Sequence, residues 1–311
     1  MRFTTKTALC LAISTLGGTT AAYADDGYVP YYASQNYQYA NMAPAQDAQG
    51  IPTTRATSTN AAPVQSAELR PTSDFYHYNN ELWAAAGSSL LNYKETVKPI
   101  PDSDRGQIPS FAAGFDVMTR NDVYFAADVA GAFGNGHYNG AEYDSGTHAY
   151  DIPYETSTHE TVVNVDTKLG QGFELSDYAM ITPYFNFGWR YWDRDIQSNS
   201  QEDYQQYELL VGVMFQIEPI NHLFLTAYGA GGTTVGTNMH TAGRDFNIGG
   251  SGIEKVGGKI GYDVTKRVEI FSTIDFDHFH YVASPVNAGA LEPSSRTEDT
   301  TFRVGVGYHF R

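Results

Sequence analysis

The sequence predicts an all-β fold, an antiparallel sheet closed into an up-and-down transmembrane barrel of about ten strands. Three features predict it. Segments of roughly ten residues alternate apolar and polar side chains with period two along most of the chain, as in strands with one face in hydrocarbon and one in water. Their connections are short and long in strict turn, which suits tight turns at one end of a barrel and surface loops at the other. Nearly all charges of the segments fall on the polar face. Lys or Arg against lipid at the midplane costs about 2–4 kcal/mol, so the charged face is the enclosed one.

The 311 residues are enough for one large β domain and a tail. Residues 1–24 read as a secretory signal. Arg2 and Lys6 open it, an apolar run from Ala8 to Leu16 follows, and Ala22-Tyr23-Ala24 supplies a small-x-small cleavage site. That run is too short to cross a bilayer as a helix. Cys10 is the one cysteine and lies inside the signal, so the processed chain is expected to have neither a disulfide nor thiol chemistry. Cleavage removes two bases and no acid, leaving 17 Lys+Arg against 35 Asp+Glu, a net −18. Such a balance argues against a nucleic-acid partner and suits solubility on the way through a periplasm. Residues 25–78 lack apolar periodicity and are rich in Ala, Gln, Asn, Ser, Thr and Pro. They are predicted to be a disordered periplasmic tail, its tyrosines the only hint of a segment that folds on contact. The barrel is assigned to residues 79–311.

The strands are taken in order. Over 82–93, Trp83 and Tyr93 share a face ten residues apart and are expected at the two membrane interfaces. Over 110–118, Phe111, Ala113, Phe115 and Val117 oppose Ser110, Ala112, Gly114 and Asp116. After a turn at 119–122, Val123, Phe125, Ala127 and Val129 oppose Tyr124, Ala126, Asp128 and Ala130 over 123–131. A long loop, 134–158, is expected next. Strands follow over 160–170, 181–195 and 207–217, the second with Phe185, Phe187, Trp189 and Tyr191 opposite Asn186, Arg190 and Arg194. The segment 223–233 is glycine-rich and its faces are hard to distinguish. Long loops at 237–252 and 283–300 flank strands over 255–264 and 268–279.

The last stretch carries the cleanest alternation. Phe302, Val304, Val306, Tyr308 and Phe310 are apolar or aromatic, against Arg303, Gly305, Gly307 and His309. It resembles the C-terminal closing strand of bacterial outer-membrane β-barrel proteins, of the class with roughly eight to ten strands. Arg311 after Phe310 departs from that family's usual aromatic end. The resemblance implies a place in the outer membrane of a Gram-negative cell and contact with its lipid and lipopolysaccharide. It also implies recognition by the barrel-assembly machinery.

The enclosed face collects Asp116, Asp128, Glu160, Asp166, Lys168, Arg190, Arg194, Glu208, Lys255, Lys259, Asp263, Glu269, Asp275, Asp277 and Arg303. In a narrow interior these charges pair across the lumen and fill it; a narrow ion path is the rival reading. Asp275-Phe276-Asp277-His278-Phe279-His280 invites an enzyme reading, because in length and strand count the chain resembles the omptin outer-membrane proteases. Their site sets an Asp-x-Asp against an Asp-x-His to activate water. Asp275 with Asp277, or Asp193 with Asp195, matches the first half; no Asp-x-His occurs. Period two also puts His278 and His280 opposite the two acids, which leaves no metal site there.

The loop over 134–158 carries Tyr138, Glu142, Tyr143, Asp144, Tyr150, Asp151, Tyr154 and Glu155, with His137 and His148 and neither Lys nor Arg. Tyrosine-rich loops give contact area at low entropic cost. This one is a candidate for a basic surface partner, or for a divalent cation bridged to lipopolysaccharide; a solvated loop is the plain alternative. Phosphate-binding glycine loops and serine elbows are missing, and no cofactor is expected. The expected role is surface interaction, adhesin-like or structural, rather than catalysis.

Overall fold

The computed structural model describes residues 74–96, 100–147, 149–196, 200–287 and 291–310. The expected signal and nearly all of the expected tail lie outside the described residues. The strands are β1 (Glu81–Glu95), β2 (Ser103–Met118), β3 (Val123–Asp144), β4 (Ala149–Gln171), β5 (Phe173–Ser176), β6 (Ala179–Ile196), β7 (Ser200–Ile220), β8 (Leu223–Thr241), β9 (Arg244–Asn247), β10 (Gly252–Thr265), β11 (Val268–Tyr281) and β12 (Ser295–His309). A short helix, α1 (Asp74–Tyr78), precedes them.

Ten of these strands pair antiparallel in chain order, with β8 meeting β10 across β9. The sheet closes where β12 returns to β1, from Glu81 opposite His309 to Glu95 opposite Ser295. Closure removes the unpaired edges that an open sheet would present. The strands β5 and β9 are short extensions paired to β6 and β8.

The faces follow the alternation. Phe111, Phe125, Val129, Leu169, Phe187, Val211, Ile260, Ile274, Phe302, Val304 and Val306 point outward and are exposed, Phe185 most of all at 70%. Large apolar side chains exposed around a whole closed wall need hydrocarbon beside them. Along β12 the belt runs from Phe302 to Phe310, about 26 Å of strand and roughly 20 Å of height at a tilt near 40°. Charged outward residues such as Arg296 and Glu298 lie beyond it. The interior is packed in two layers: Leu91, Tyr93, Trp192, Tyr204, Phe279 and Tyr281 belong to one, Phe75, Tyr78, Met118, Tyr124 and Phe224 to the other.

Three expectations are corrected. Trp83 and Tyr93 do not sit at the membrane interfaces; both face inward, Trp83 donating to Asp116 Oδ2 at 2.9 Å and Tyr93 fully buried. Interface positions instead hold Phe173, Tyr178, Tyr262 and Tyr308, all well exposed. The expected tail boundary at residue 78 is too late, because α1 buries Phe75 and Tyr78 inside the wall. Most of the expected loop over 134–158 is strand, since β3 and β4 stay paired up to Asp144 opposite Ala149. Beyond the lipid the outward face of a strand meets water as well, so the apolar alternation that marks a strand lower down has no cause there.

Candidate functional site

Three levels of the lumen hold the candidate residues. At the end carrying the short turns, Tyr78 of α1 stacks on Phe224 with ring centres 4.1 Å apart. Asn79 and Gln216 exchange two amide hydrogen bonds of 2.9 Å. Asn80 Nδ2 donates to the Met118 carbonyl at 3.1 Å. Here Lys259 Nζ lies 2.7 Å from Glu81 Oε2 and 2.6 Å from Glu269 Oε2. His309 faces Asp263 at 3.0 Å. Glu81, Glu269 and His309 offer ligand atoms within 4.8 Å of one another, but Lys259 already neutralises the carboxylates where a metal would sit.

The middle level encloses a cavity of about 200 Å³. Lys255 is its hub, 2.7 Å from Glu208, 3.2 Å from Asp166 and 4.0 Å from Asp277. Lys168 stands 4.0 Å from Asp128. Arg303 reaches Asp275 at 3.3 Å and donates to Ser110 Oγ at 2.9 Å. Asp116 accepts from Trp83 and Tyr124, and Asp275 from Tyr228. Acids outnumber bases here, and tyrosine and tryptophan donors take up part of the excess.

The outer level is aromatic. Trp192 stacks on Tyr204 at 4.9 Å, and Tyr204 on Tyr281 at 5.2 Å. Arg194 lies over the Tyr93 ring at 4.6 Å and pairs with Glu202 at 2.5 Å. Arg190 pairs with Asp299 at 3.5 Å. Glu292, from the β11–β12 connection, folds in and accepts from Tyr204 at 2.9 Å. Burial, reinforced by Glu202 and opposed by Arg194, lifts its carboxyl to about 8. Burial likewise raises Asp102 in the β1–β2 connection, against a hydrogen bond from Tyr138.

All the charges expected in the lumen are found on its wall, from Asp116 on β2 to Arg303 on β12. Sequence reasoning missed Glu81, Asp104, Glu202, Glu292 and Asp299. All five lie outside the strand boundaries drawn from the lipid-facing pattern, and inward parity along the longer strands would have found Glu81, Asp104, Glu202 and Asp299. The acids Asp275 and Asp277 are held by Arg303 and Lys255, while His278 and His280 lie on the other face and stack edge-on at 4.8 Å. Asp193 and Asp195 alternate with the inward-facing Arg194 and point outward. Asp195 lies opposite the outward-facing His159, which is hydrogen-bonded to Asn135, but no Asp-x-His stands across from either acid pair.

The projecting hairpin is the second candidate. The last rung between β2 and β3 joins Ser103 to Asn139, and the last between β4 and β6 joins Thr158 to Ile196. Residues 140–157 therefore rise past both neighbours. Tyr138 is not on this surface: it is 4% exposed and packs inward, its ring 6.2 Å from Tyr154. Asp144 accepts from the Gly146 amide at 2.7 Å, and Glu155 from Asn139 at 3.2 Å. Glu142 and Asp151 are half-buried. The side chains of Tyr143 and Tyr150 lie outside the described residues.

No protein-family model matches this chain, and no curated protein matches its sequence. Solved structures do. The outer membrane protease OmpT from Escherichia coli superposes with a TM-score of 0.55 at 9% identity, over 75% of this chain and 97% of that one. The transport unit of the autotransporter AIDA-I from Escherichia coli matches at 0.37 and 9% identity, over 81% and 95%. Neisserial surface protein A matches at 0.31 and 13%, over 74% and 97%. Of these three, OmpT alone overlaps well enough to speak for architecture. The chain has the fold of bacterial outer-membrane β-barrels, and its likeness to the omptins is architectural.

Proposed function

We propose that the chain is an integral outer-membrane protein of a Gram-negative envelope that acts by surface contact, with the β3–β4 hairpin as the contact element. One observation carries this reading: the lumen is filled at both ends by packed side chains, while residues 140–157 rise past the rungs of their neighbours. A filled lumen disfavours permeation. Catalysis is disfavoured because Asp275 and Asp277 are already ion-paired and the neighbouring His278 and His280 lie on the opposite face. The contact chemistry is acidic. Glu142, Asp144, Asp151 and Glu155 stand with no lysine or arginine in 134–158, which suits a basic partner or a divalent cation bridging to lipopolysaccharide phosphate.

The test compares cells displaying the full chain with cells in which residues 141–152 are replaced by a short Gly-Ser turn. Adhesion to a polylysine-coated surface should fall several-fold on replacement; unchanged adhesion sinks the contact reading. The other readings have their own signatures. Discrete bilayer current steps that vanish on neutralising Arg190 and Arg194 would favour a narrow channel. Cleavage of a basic peptide by whole cells, lost in Asp275→Ala, would favour a hydrolase.

A further inference from the structure

We propose that the outer wall of the barrel over β11, β12, β1 and β2 binds the phosphate of an outer-leaflet lipid headgroup, through Arg296, Lys94 and Arg105 with His280 beside them. The site lies apart from the projecting hairpin and does not rest on its contact role. A single rung across three adjacent strands sets His280 opposite Arg296, and Arg296 opposite Lys94. On the next strand Arg105 stands opposite Asn92, two residues from Lys94. All four are exposed. They face outward, because their neighbours along the strands, Tyr93, Asp104, Thr297 and Tyr281, are buried in the lumen. The level is that of lipid headgroups. Below the rung the outward face turns apolar at Leu90 on β1, Phe276 on β11 and Phe302 on β12. On β1 and β11 that is about 13 Å along the strand and roughly 10 Å in height, within reach of the long Lys and Arg stems.

Like charges set directly opposite on neighbouring strands repel, so Arg296 and Lys94 call for an anion between them. The chain supplies one acid. Glu298 pairs with Arg296 and accepts from Asn92 at 3.1 Å. Arg105 donates to Asn92 Oδ1 at 3.2 Å. Among the described residues neither Lys94 nor Arg105 is in an ion pair. Glu254 lies farther off on β10, opposite His278. Elsewhere the rim is acidic: at the same end β6 and β7 turn Asp193, Asp195 and Asp203 outward, with Asp193 opposite Asp203. Bases gathered on one arc of so acidic a chain are not a matter of composition. Guanidinium groups take phosphate oxygens in a bidentate fork, and an ammonium and an imidazole N–H can meet the remaining ones. The apolar wall directly beneath the rung gives the acyl chains of the same molecule a surface, which selects a lipid over a free anion.

The full chain is refolded in detergent with EDTA present, so that no divalent cation bridges lipid to the hairpin acids. It is titrated with diphosphoryl lipid A, and bound lipid is counted by native mass spectrometry. At least one lipid per chain is expected. Affinity should fall by about ten-fold or more in Lys94→Gln/Arg105→Gln/Arg296→Gln. It should persist in Asp193→Asn/Asp203→Asn and in the chain whose residues 141–152 are replaced by a Gly-Ser turn. Dephosphorylated lipid A should bind far more weakly, and excess inorganic phosphate should not displace the lipid. The proposal is overturned if the triple variant binds undiminished, or if the dephosphorylated lipid binds equally well. Loss of binding on hairpin replacement alone overturns it too, as does displacement by inorganic phosphate, which would make this a site for free anions. Should the triple variant fail to show the heat-modifiable gel mobility of a folded barrel, the three ligands compared on the unmutated chain decide the matter. Adhesion to polylysine is read separately, so failure of the hairpin's contact role would leave these outcomes unchanged.

Discussion

Two buried carboxylate pairs sit at opposite ends of this lumen, and the protein treats them differently. At the short-turn end Glu81 and Glu269 share Lys259, whose ammonium lies within 2.7 Å of both. At the outer end Trp192 donates to Glu160, Asp104 lies hydrogen-bonded beside it, and among the described residues neither acid is in an ion pair. Burial is equally complete in the two places. A sealed acid pair needs a counter-charge or a shared proton; Lys259 supplies the first at one end, and at the other the two carboxyls hydrogen-bond one another.

Removing Lys259 tests the first half of that contrast and should have the largest effect. Lys259→Met strips the base from two buried carboxylates, and urea unfolding from lipid vesicles should show a loss of about 3–5 kcal/mol at neutral pH. Crowding the second pair comes next. Gly136→Ala puts a methyl among Asp104, Thr158 and Glu160, and overpacking of this kind costs about 1–3 kcal/mol; an unchanged unfolding curve would mean that the three oxygens move freely.

A third test concerns Glu292, close to the outer aromatic layer. Its folded carboxyl titrates near 8, above its ordinary 4.5, so the folded state holds a proton that the unfolded chain releases. Its contribution is complete below about pH 4.5 and lost as pH rises toward 8. Unfolding should become easier across that window, and Glu292→Gln should flatten the profile. The smallest effect is expected for Asp104→Asn. Loss of a charge that no base opposes should leave stability within about 1 kcal/mol, on the stabilising side. A large destabilisation would show that Asp104 is paired with a base.

These two ends also mark how far the sequence could be read. In the lipid belt the alternation had one cause, hydrocarbon on one side and water on the other, and it placed Phe111, Phe185, Val304 and their inward partners correctly. Above the belt that cause stops. The strands run on through Asp104 and Tyr138 on the strength of backbone pairing, and no apolar rhythm betrays them. Trp83 and Tyr93 misled for a related reason. An aromatic at a strand end suits the membrane interface and suits a packed lumen equally, and only the wall's geometry separates the two.

By itself the sequence determined the closed antiparallel wall, its lipid-facing side and the charges on its inner side, because each is set by residues two apart along one strand. Which acid meets which base, which pair of acids meets none, and that α1 and the outer aromatics fill the lumen were decided by tertiary structure. Those contacts join residues up to about 210 positions apart, as with Ser89 and Asp299, and depend on the register in which ten strands close. No local pattern encodes a register that exists only once the last strand has met the first.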